Sequence, residues 1–131
     1  MIGLDTNVLV RYLTQDDPEQ SVRANRLIDA HCTKDMPGLV TVIVLCELVW
    51  VLRGAYGYEK NLVVRVLEQI LATSELQVEN EHIVRSALSA FRRGSADFAD
   101  YIIICLHRQA GCEATFSFDE KLARHDLVRI P

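Results

Sequence analysis

Short apolar segments alternate with longer segments of helical periodicity along the whole chain, and this alternation constrains the fold more than any other feature. Strands are predicted over residues 2–5, 37–40, 76–78, 113–117 and 127–130. Helices are predicted over residues 8–13, 18–31, 42–53, 59–72, 81–93, 98–109 and 119–124. Strands that alternate with helices form a parallel sheet, so the pattern predicts an α/β fold.

Several residues mark where helices begin. Asp17 and Pro18 are typical of an N-cap followed by the first helical position, and Thr41 can cap the helix that follows the second strand. The helices over 42–53 and 59–72 are predicted to form an αα-hairpin, with Trp50 buried as core. No repeat, low-complexity tract or linker interrupts the chain, so one domain over residues 1–131 is predicted.

The composition excludes several classes of protein. Half of the 131 residues are hydrophobic, as expected for a folded protein, and the net charge of −4 means that a nucleic acid must meet local basic patches or metal ions. No apolar run reaches the roughly 18 residues needed to span a bilayer. The N-terminus lacks the pattern of a secretory signal, so a cytoplasmic protein without a membrane partner is expected.

The four cysteines and four histidines do not form a metal-binding pattern. No pair of cysteines has C-x-x-C spacing and no pair of histidines has H-x-x-x-H spacing, which argues against zinc and disulfides. The cysteines are interpreted as small apolar side chains and the histidines as ordinary surface or core residues.

Five acidic residues occupy positions where a parallel α/β sheet places its ligands, beyond the carboxyl ends of strands. They are Asp5 after the first strand, Glu47 within an apolar helix, Asp97 and Asp100 at a helix start, and Asp119 after a late strand. Converging carboxylates repel one another unless a cation neutralises them, and oxygen-only ligands favour Mg²⁺ or Mn²⁺. Such ions activate water and stabilise charge on phosphate, which points to phosphodiester chemistry.

Helix capping is the competing interpretation for these carboxylates. Capping alone accounts for Asp16 and Asp17. For Asp97, capping and metal binding are equally supported, and for Asp100 the capping interpretation is the weaker one. Glu47 is predicted to be buried among hydrophobic neighbours, where a carboxylate needs a cation or an arginine. Asp5 directly follows an apolar strand, which favours a ligand.

Four segments together resemble the PIN-domain family, especially its VapC-type toxins from toxin–antitoxin pairs. They are Ile2 to Leu13 (IGLDTNVLVRYL), Glu47 to Leu52 (ELVWVL), Asp97 to Ile103 (DFADYII) and Thr115 to Asp119 (TFSFD), and the likeness spans almost the whole chain. Asp16-Asp17-Pro18 adds to it.

The resemblance implies a function and a site. It implies a metal-dependent ribonuclease with a three-layer α/β/α sandwich around a parallel β-sheet, a homodimer, and an antitoxin bound near the metal. The ligands and catalytic residues it implies are Asp5, Glu47, Asp100 and Asp119, with Asp97 as an extra aspartate and with Asn7 and Ser117 as supporting polar groups.

Three arginines are predicted RNA contacts, because arginine suits phosphate. Arg11 follows Asp5 on the first helix, whereas Arg92 and Arg93 close a helix where cations also favour the helix dipole. Two other functions stay open: a catalytically inactive PIN-like module that binds RNA or protein, and a magnesium-dependent phosphatase. Asn7 replaces the second acid that a phosphatase would have, and Lys121 is the one lysine expected near the site.

Overall fold

The computed structural model describes residues 1–131, and its helices and strands follow the predicted alternation. In chain order the elements are β1 (Ile2–Gly3), α1 (Thr6–Thr14), α2 (Pro18–His31), β2 (Gly38–Val40), α3 (Val42–Gly54), α4 (Lys60–Ala72), β3 (Leu76–Val78), α5 (Glu81–Arg93), α6 (Phe98–Gln109), β4 (Thr115–Phe116), a 3-10 helix (Leu122–Arg124) and β5 (Val128–Arg129). All strand pairs are parallel, which confirms the predicted α/β fold with helices flanking parallel strands.

The chain forms two compact units, residues 1–79 and residues 80–131. The first contains β1 to β3 with α1 to α4, and the second contains α5, α6, β4 and β5. The prediction of a single domain over residues 1–131 stays a prediction.

In the first unit, three parallel strands form a sheet in the order β1-β2-β3. Leu39 of β2 pairs with Gly3 on one side and with Gln77 on the other. Gly38 lies so close to its neighbours that an added Cβ would come within 2.8 Å of both the Cys32 Sγ and a methyl carbon of Leu4. This position is therefore restricted to glycine by space, and the sheet packs tightly there.

The predicted helix starts of the first unit are present. The Asp17 carboxylate accepts a hydrogen bond from the Gln20 amide at 2.9 Å, and the Thr41 hydroxyl accepts one from the Val44 amide at 3.3 Å. These caps satisfy amide groups that have no partner within their own helix. α3 and α4 then contact each other, which confirms the αα-hairpin.

In the second unit, α5 and α6 pack together and β4 pairs with β5. Both helices have the predicted bounds. Phe91 and Phe98 are completely buried between them, with ring centroids 5.9 Å apart in an edge-to-face arrangement. Phe98 is the first residue of α6, so this aromatic pair fixes where that helix begins.

Three expectations are corrected. Trp50 is 54% exposed rather than buried, because the core-facing residues of α3 lie on its other faces. The strand predicted over residues 113–117 is only Thr115–Phe116. The helix predicted over residues 119–124 is a turn followed by the 3-10 helix, because the Asp119 carboxylate accepts the amides of Lys121 and Leu122 at 2.8 and 3.3 Å.

Two further features concern the whole chain. No helix is both long and apolar enough to cross a membrane. No cysteine is in a disulfide.

Candidate functional site

Asp5 lies at the junction between β1 and α1. It occupies the N-cap position with extended backbone angles, yet its side chain makes no capping hydrogen bond to the helix. The simple capping role is therefore absent, and the exposed carboxylate is available to a ligand. Beside it, the Thr6 hydroxyl is buried without a hydrogen-bond partner, and Asn7 is exposed one residue further on.

Glu47 is exposed on α3, so the prediction that it is buried is wrong. The cause is the side-chain pattern of the helix: Ile43, four residues earlier, and Trp50, three residues later, share its face and are 71% and 54% exposed. The expected need for a neutralising partner inside the core therefore disappears. A metal-ligand role for Glu47 rests on its position alone, in a helix that contacts α1.

Asp97 and Asp100 together start α6 through a capping box. An Asp97 side-chain oxygen accepts a hydrogen bond from the Phe98 amide at 2.9 Å, while the Asp100 Oδ2 accepts one from the Asp97 amide at 3.1 Å. Both aspartates therefore have a structural role. From the sequence, a capping role was considered weaker for Asp100 than for Asp97, and this expectation is corrected. The three-residue spacing of the two aspartates suits a capping box as well as it suits two ligands of one metal ion.

Asp100 is the one acidic residue of the second unit whose pKa is clearly shifted. Burial raises its pKa, the charges of Asp97 and Asp119 raise it further, and the hydrogen bond from the Asp97 amide offsets part of the effect. The charged form of Asp100 is thus disfavoured by two other carboxylates of the same unit. A cation near these groups would relieve the repulsion.

Asp119 is held by the turn that precedes the 3-10 helix. One carboxylate oxygen accepts amides from that turn, and the Asp119 amide donates to the Ser117 hydroxyl at 3.0 Å. Ser117 therefore orients the backbone that carries Asp119, which agrees with a supporting role. The second Asp119 oxygen takes no part in these hydrogen bonds.

Arg11 is engaged within the first unit. Its guanidinium donates to the Gln20 side chain at 2.7 Å, to the Tyr56 hydroxyl at 2.9 Å and to the Asp16 carboxylate at 3.1 Å. Tyr56 in turn donates to Asp16 at 2.6 Å. The structure thus gives Arg11 a role in joining α1 to the segments around residues 16–20 and 56, and its RNA contact stays a prediction.

Asp16 is the carboxylate in this network. Hydrogen bonds from Tyr56 and Thr14, together with the Arg11 charge, lower the pKa of Asp16 to about 2. Asp16, which was expected only to cap a helix, is therefore part of a tertiary hydrogen-bond network. Tyr56 is 40 residues away along the chain, and no local pattern links the two.

Arg92 and Arg93 are exposed at the end of α5. Arg93 lines a groove that also contains Lys121, Arg124 and His125. From the sequence, Lys121 is expected near the site only as a check on a phosphatase, His125 is interpreted as an ordinary histidine, and Arg124 has no predicted role. The sequence gives little sign that these residues lie together, because Arg93 is about 30 residues away from the others along the chain.

The acidic side chains supply only oxygen atoms to a divalent cation. No three His, Cys, Asp or Glu side chains form a group arranged to hold a metal ion. Mg²⁺ keeps several waters and is commonly bound through one or two carboxylates, so a three-ligand group is not required. The repulsion that Asp97 and Asp119 exert on Asp100 fits a hard cation, with oxygen as the only donor atom.

Comparison with known proteins agrees with this chemistry. The sequence profile of the PIN domain matches residues 2–127. A protein of Aquifex aeolicus (strain VF5) described as VapC ribonuclease is 24% identical over 121 residues, which cover 92% of this chain and 89% of that protein. No solved structure matches the chain.

Proposed function

The chain belongs to the PIN-domain family, and on this basis we propose that it is a metal-dependent ribonuclease that hydrolyses RNA phosphodiester bonds. The observation that carries the proposal is the arrangement of three aspartates in the second unit: Asp97 and Asp100 start α6 as a capping box, and Asp119, whose backbone Ser117 holds, is near enough for its charge to act on Asp100. Carboxylates that destabilise each other's charged forms are typical of cation sites and of catalytic sites. The description of the Aquifex relative as a ribonuclease supports RNA as the substrate.

We propose that activity depends on Asp5, Glu47, Asp100 and Asp119, with Asp97 as a further candidate ligand, and that the cofactor is Mg²⁺ or Mn²⁺. When bound, the ion polarises the phosphodiester and the attacking water. The chain itself holds the Asp100 carboxylate through the Asp97 amide and the Asp119 backbone through Ser117. These contacts fix the acidic groups before a substrate arrives.

Cleavage of RNA by the purified protein tests the proposal. Wild type, Asp100→Asn and Glu120→Gln are incubated with RNA in Mg²⁺, Mn²⁺ or EDTA. Glu120 is the matched control, because it is an exposed acid one residue from Asp119 that has no assigned role. We expect metal-dependent cleavage by wild type and Glu120→Gln, and a loss of at least about 100-fold in Asp100→Asn, comparable to removing a catalytic electrostatic group.

A second readout separates metal binding from cleavage. Mn²⁺ at 100 times its Kd raises the stability of a protein that binds it by about 2.7 kcal/mol. We expect this increase in wild type and Glu120→Gln and a smaller one in Asp100→Asn. If wild type shows neither cleavage nor Mn²⁺ stabilisation, the nuclease proposal fails, and an inactive PIN-like binding module becomes the better explanation.

We propose in addition that the protein is the toxin of a toxin–antitoxin pair and forms a homodimer. The first part rests on the resemblance to VapC-type sequences and predicts that induced expression arrests growth, whereas Asp100→Asn does not. A cognate antitoxin would then restore growth when coexpressed. The exposed Ile43 and Trp50 on α3 support an apolar interface with a second copy, which Trp50→Lys should disrupt in sedimentation analysis.

A further inference from the structure

A basic groove of about 480 Å³ lies in the second unit, between the end of α5 and the segment around the 3-10 helix. Arg93, Lys121, Arg124 and His125 line it, and Asp126 is the one acidic residue in its lining. We call these four residues and Asp126 the basic groove. Three permanent cations against one carboxylate give the groove a local positive charge, although the whole chain carries −4.

The charge distribution along the chain agrees with this local excess. Residues 80–131 contain seven Lys and Arg and seven Asp and Glu, so the acidic excess of the chain lies entirely within residues 1–79. Three of the seven cations of the second unit meet in the basic groove. The basic groove therefore offers a polyanion a favourable electrostatic match in this unit.

Two residues that line the groove are held by backbone hydrogen bonds. Tyr101 also lines it, is 4% exposed, and accepts a hydrogen bond from the Ala96 amide at 3.2 Å. The His125 Nδ1 accepts a hydrogen bond from the Leu127 amide at 3.1 Å. Because Nδ1 accepts this hydrogen bond, a neutral His125 ring carries its proton on Nε2, and Nε2 can donate a hydrogen bond. The cationic side chains thus project from a framework that is already in place.

The basic groove adjoins the acidic residues of the candidate site through the backbone. The Lys121 amide donates to the Asp119 carboxylate at 2.8 Å. Arg124 approaches the Ser95 hydroxyl at 3.5 Å, two residues before Asp97. Cations and carboxylates therefore lie on the same two chain segments, residues 93–100 and 119–126.

We propose that the basic groove binds a backbone phosphate of the RNA next to the phosphodiester that is cleaved. The inference rests on the proposed ribonuclease function and assigns its substrate contact to Arg93, Lys121 and Arg124. Arginine offers a planar set of donors that matches two phosphate oxygens, and lysine adds a point charge. Because every nucleotide carries the same phosphate, this contact strengthens binding without selecting a base.

The test measures RNA binding in EDTA, where metal-dependent cleavage is absent. Fluorescence anisotropy follows oligo(U) and oligo(A) of about ten nucleotides, within the range of single-strand binding sites, at several salt concentrations. Arg93→Gln, Lys121→Gln and Arg124→Gln are combined in one variant. Arg85→Gln is the matched control, since Arg85 also lies on α5 but is paired with Glu81 at 3.6 Å outside the groove.

We expect the triple variant to bind both oligonucleotides about tenfold more weakly, with equal loss for U and A. The slope of log K against log salt should fall by about 0.7 in magnitude, the value for one phosphate of a single strand. Arg85→Gln should retain the wild-type affinity and slope. Circular dichroism of all variants checks that the fold is unchanged.

Two outcomes separate this inference from the proposed function. If wild type cleaves RNA while the triple variant matches Arg85→Gln in affinity and slope, the groove assignment is overturned and the ribonuclease function stands. If the triple variant loses the salt-dependent contact but wild type does not cleave RNA with either metal, the groove still binds an RNA phosphate, whereas the catalytic proposal and the place of that phosphate beside a cleaved bond are overturned. A loss confined to one of the two oligonucleotides would overturn the phosphate assignment, because it indicates a base contact.

Discussion

Replacing Gly94 with alanine should destabilise the protein by about 3 kcal/mol, although the backbone of Gly94 suits any residue. An added Cβ would overlap the Tyr101 hydroxyl and lie 2.7 Å from the ring carbon that carries it. Tyr101 must then move and lose its hydrogen bond from the Ala96 amide. An unpaired buried amide costs about 1–3 kcal/mol and overpacking costs about 1–3 kcal/mol, while the lower chain entropy of alanine returns about 0.4–1 kcal/mol.

Urea denaturation and thermal melting measure this loss. For a chain of this size, 3 kcal/mol corresponds to a fall of roughly 10 °C in Tm. Gly54→Ala is the control, because nothing lies within 4 Å of its added Cβ, and it should be neutral or stabilising by up to about 1 kcal/mol. A Gly94→Ala variant as stable as Gly54→Ala would refute the steric argument. Tyr101→Phe should cost less in the Gly94→Ala background than alone, since the hydrogen bond is already lost there.

Three further predictions concern single side chains. Tyr56→Phe should raise the pKa of Asp16 from about 2 towards 3.8, as measured by NMR of the carboxyl group. The stability that the wild type loses as the pH falls from 4 to 2 would then already be lost near pH 4 in the variant. In EDTA, Asp100→Asn should melt no lower than wild type at pH 7.5, because the raised pKa of Asp100 means that its ionisation costs stability as pH rises. Phe98→Ala should cost about 3–5 kcal/mol in urea denaturation, whereas Phe118→Ala, at an 82% exposed position, should cost less than about 0.5 kcal/mol.

Local sequence signals predicted the elements that are determined locally. Asp97 marks the start of α6 in the sequence, and both α5 and α6 have the predicted bounds. Asp17 and Thr41 cap their helices as predicted. These features depend on residues within one turn of the chain, so a single sequence contains the information for them.

The features that the sequence did not reveal depend on distant residues or on the choice of helix face. α3 is apolar around most of its surface, so periodicity could not indicate that Glu47 and Trp50 lie on its exposed side. The Arg11 network needs Tyr56, 45 residues away, and the basic groove joins Arg93 to residues 121–125. Such pairings arise from tertiary packing. The spacing of residues within one helix or strand does not indicate them.

The capping box of α6 affects how many oxygens of Asp100 a cation can bind without disturbing the helix. The Asp100 Oδ2 accepts the Asp97 amide, so one of its two lone pairs is engaged, whereas the capping box leaves the Asp100 Oδ1 unused. Ions that favour two-oxygen chelation, as Ca²⁺ often does, would share Oδ2 with that hydrogen bond and weaken it, at a cost of up to about 1 kcal/mol, at most roughly a fivefold loss of affinity. Mg²⁺ and Mn²⁺ accept a single oxygen from each carboxylate and leave the helix start intact. The hydrogen bond that begins α6 would thereby discriminate between alkaline-earth ions before any substrate binds.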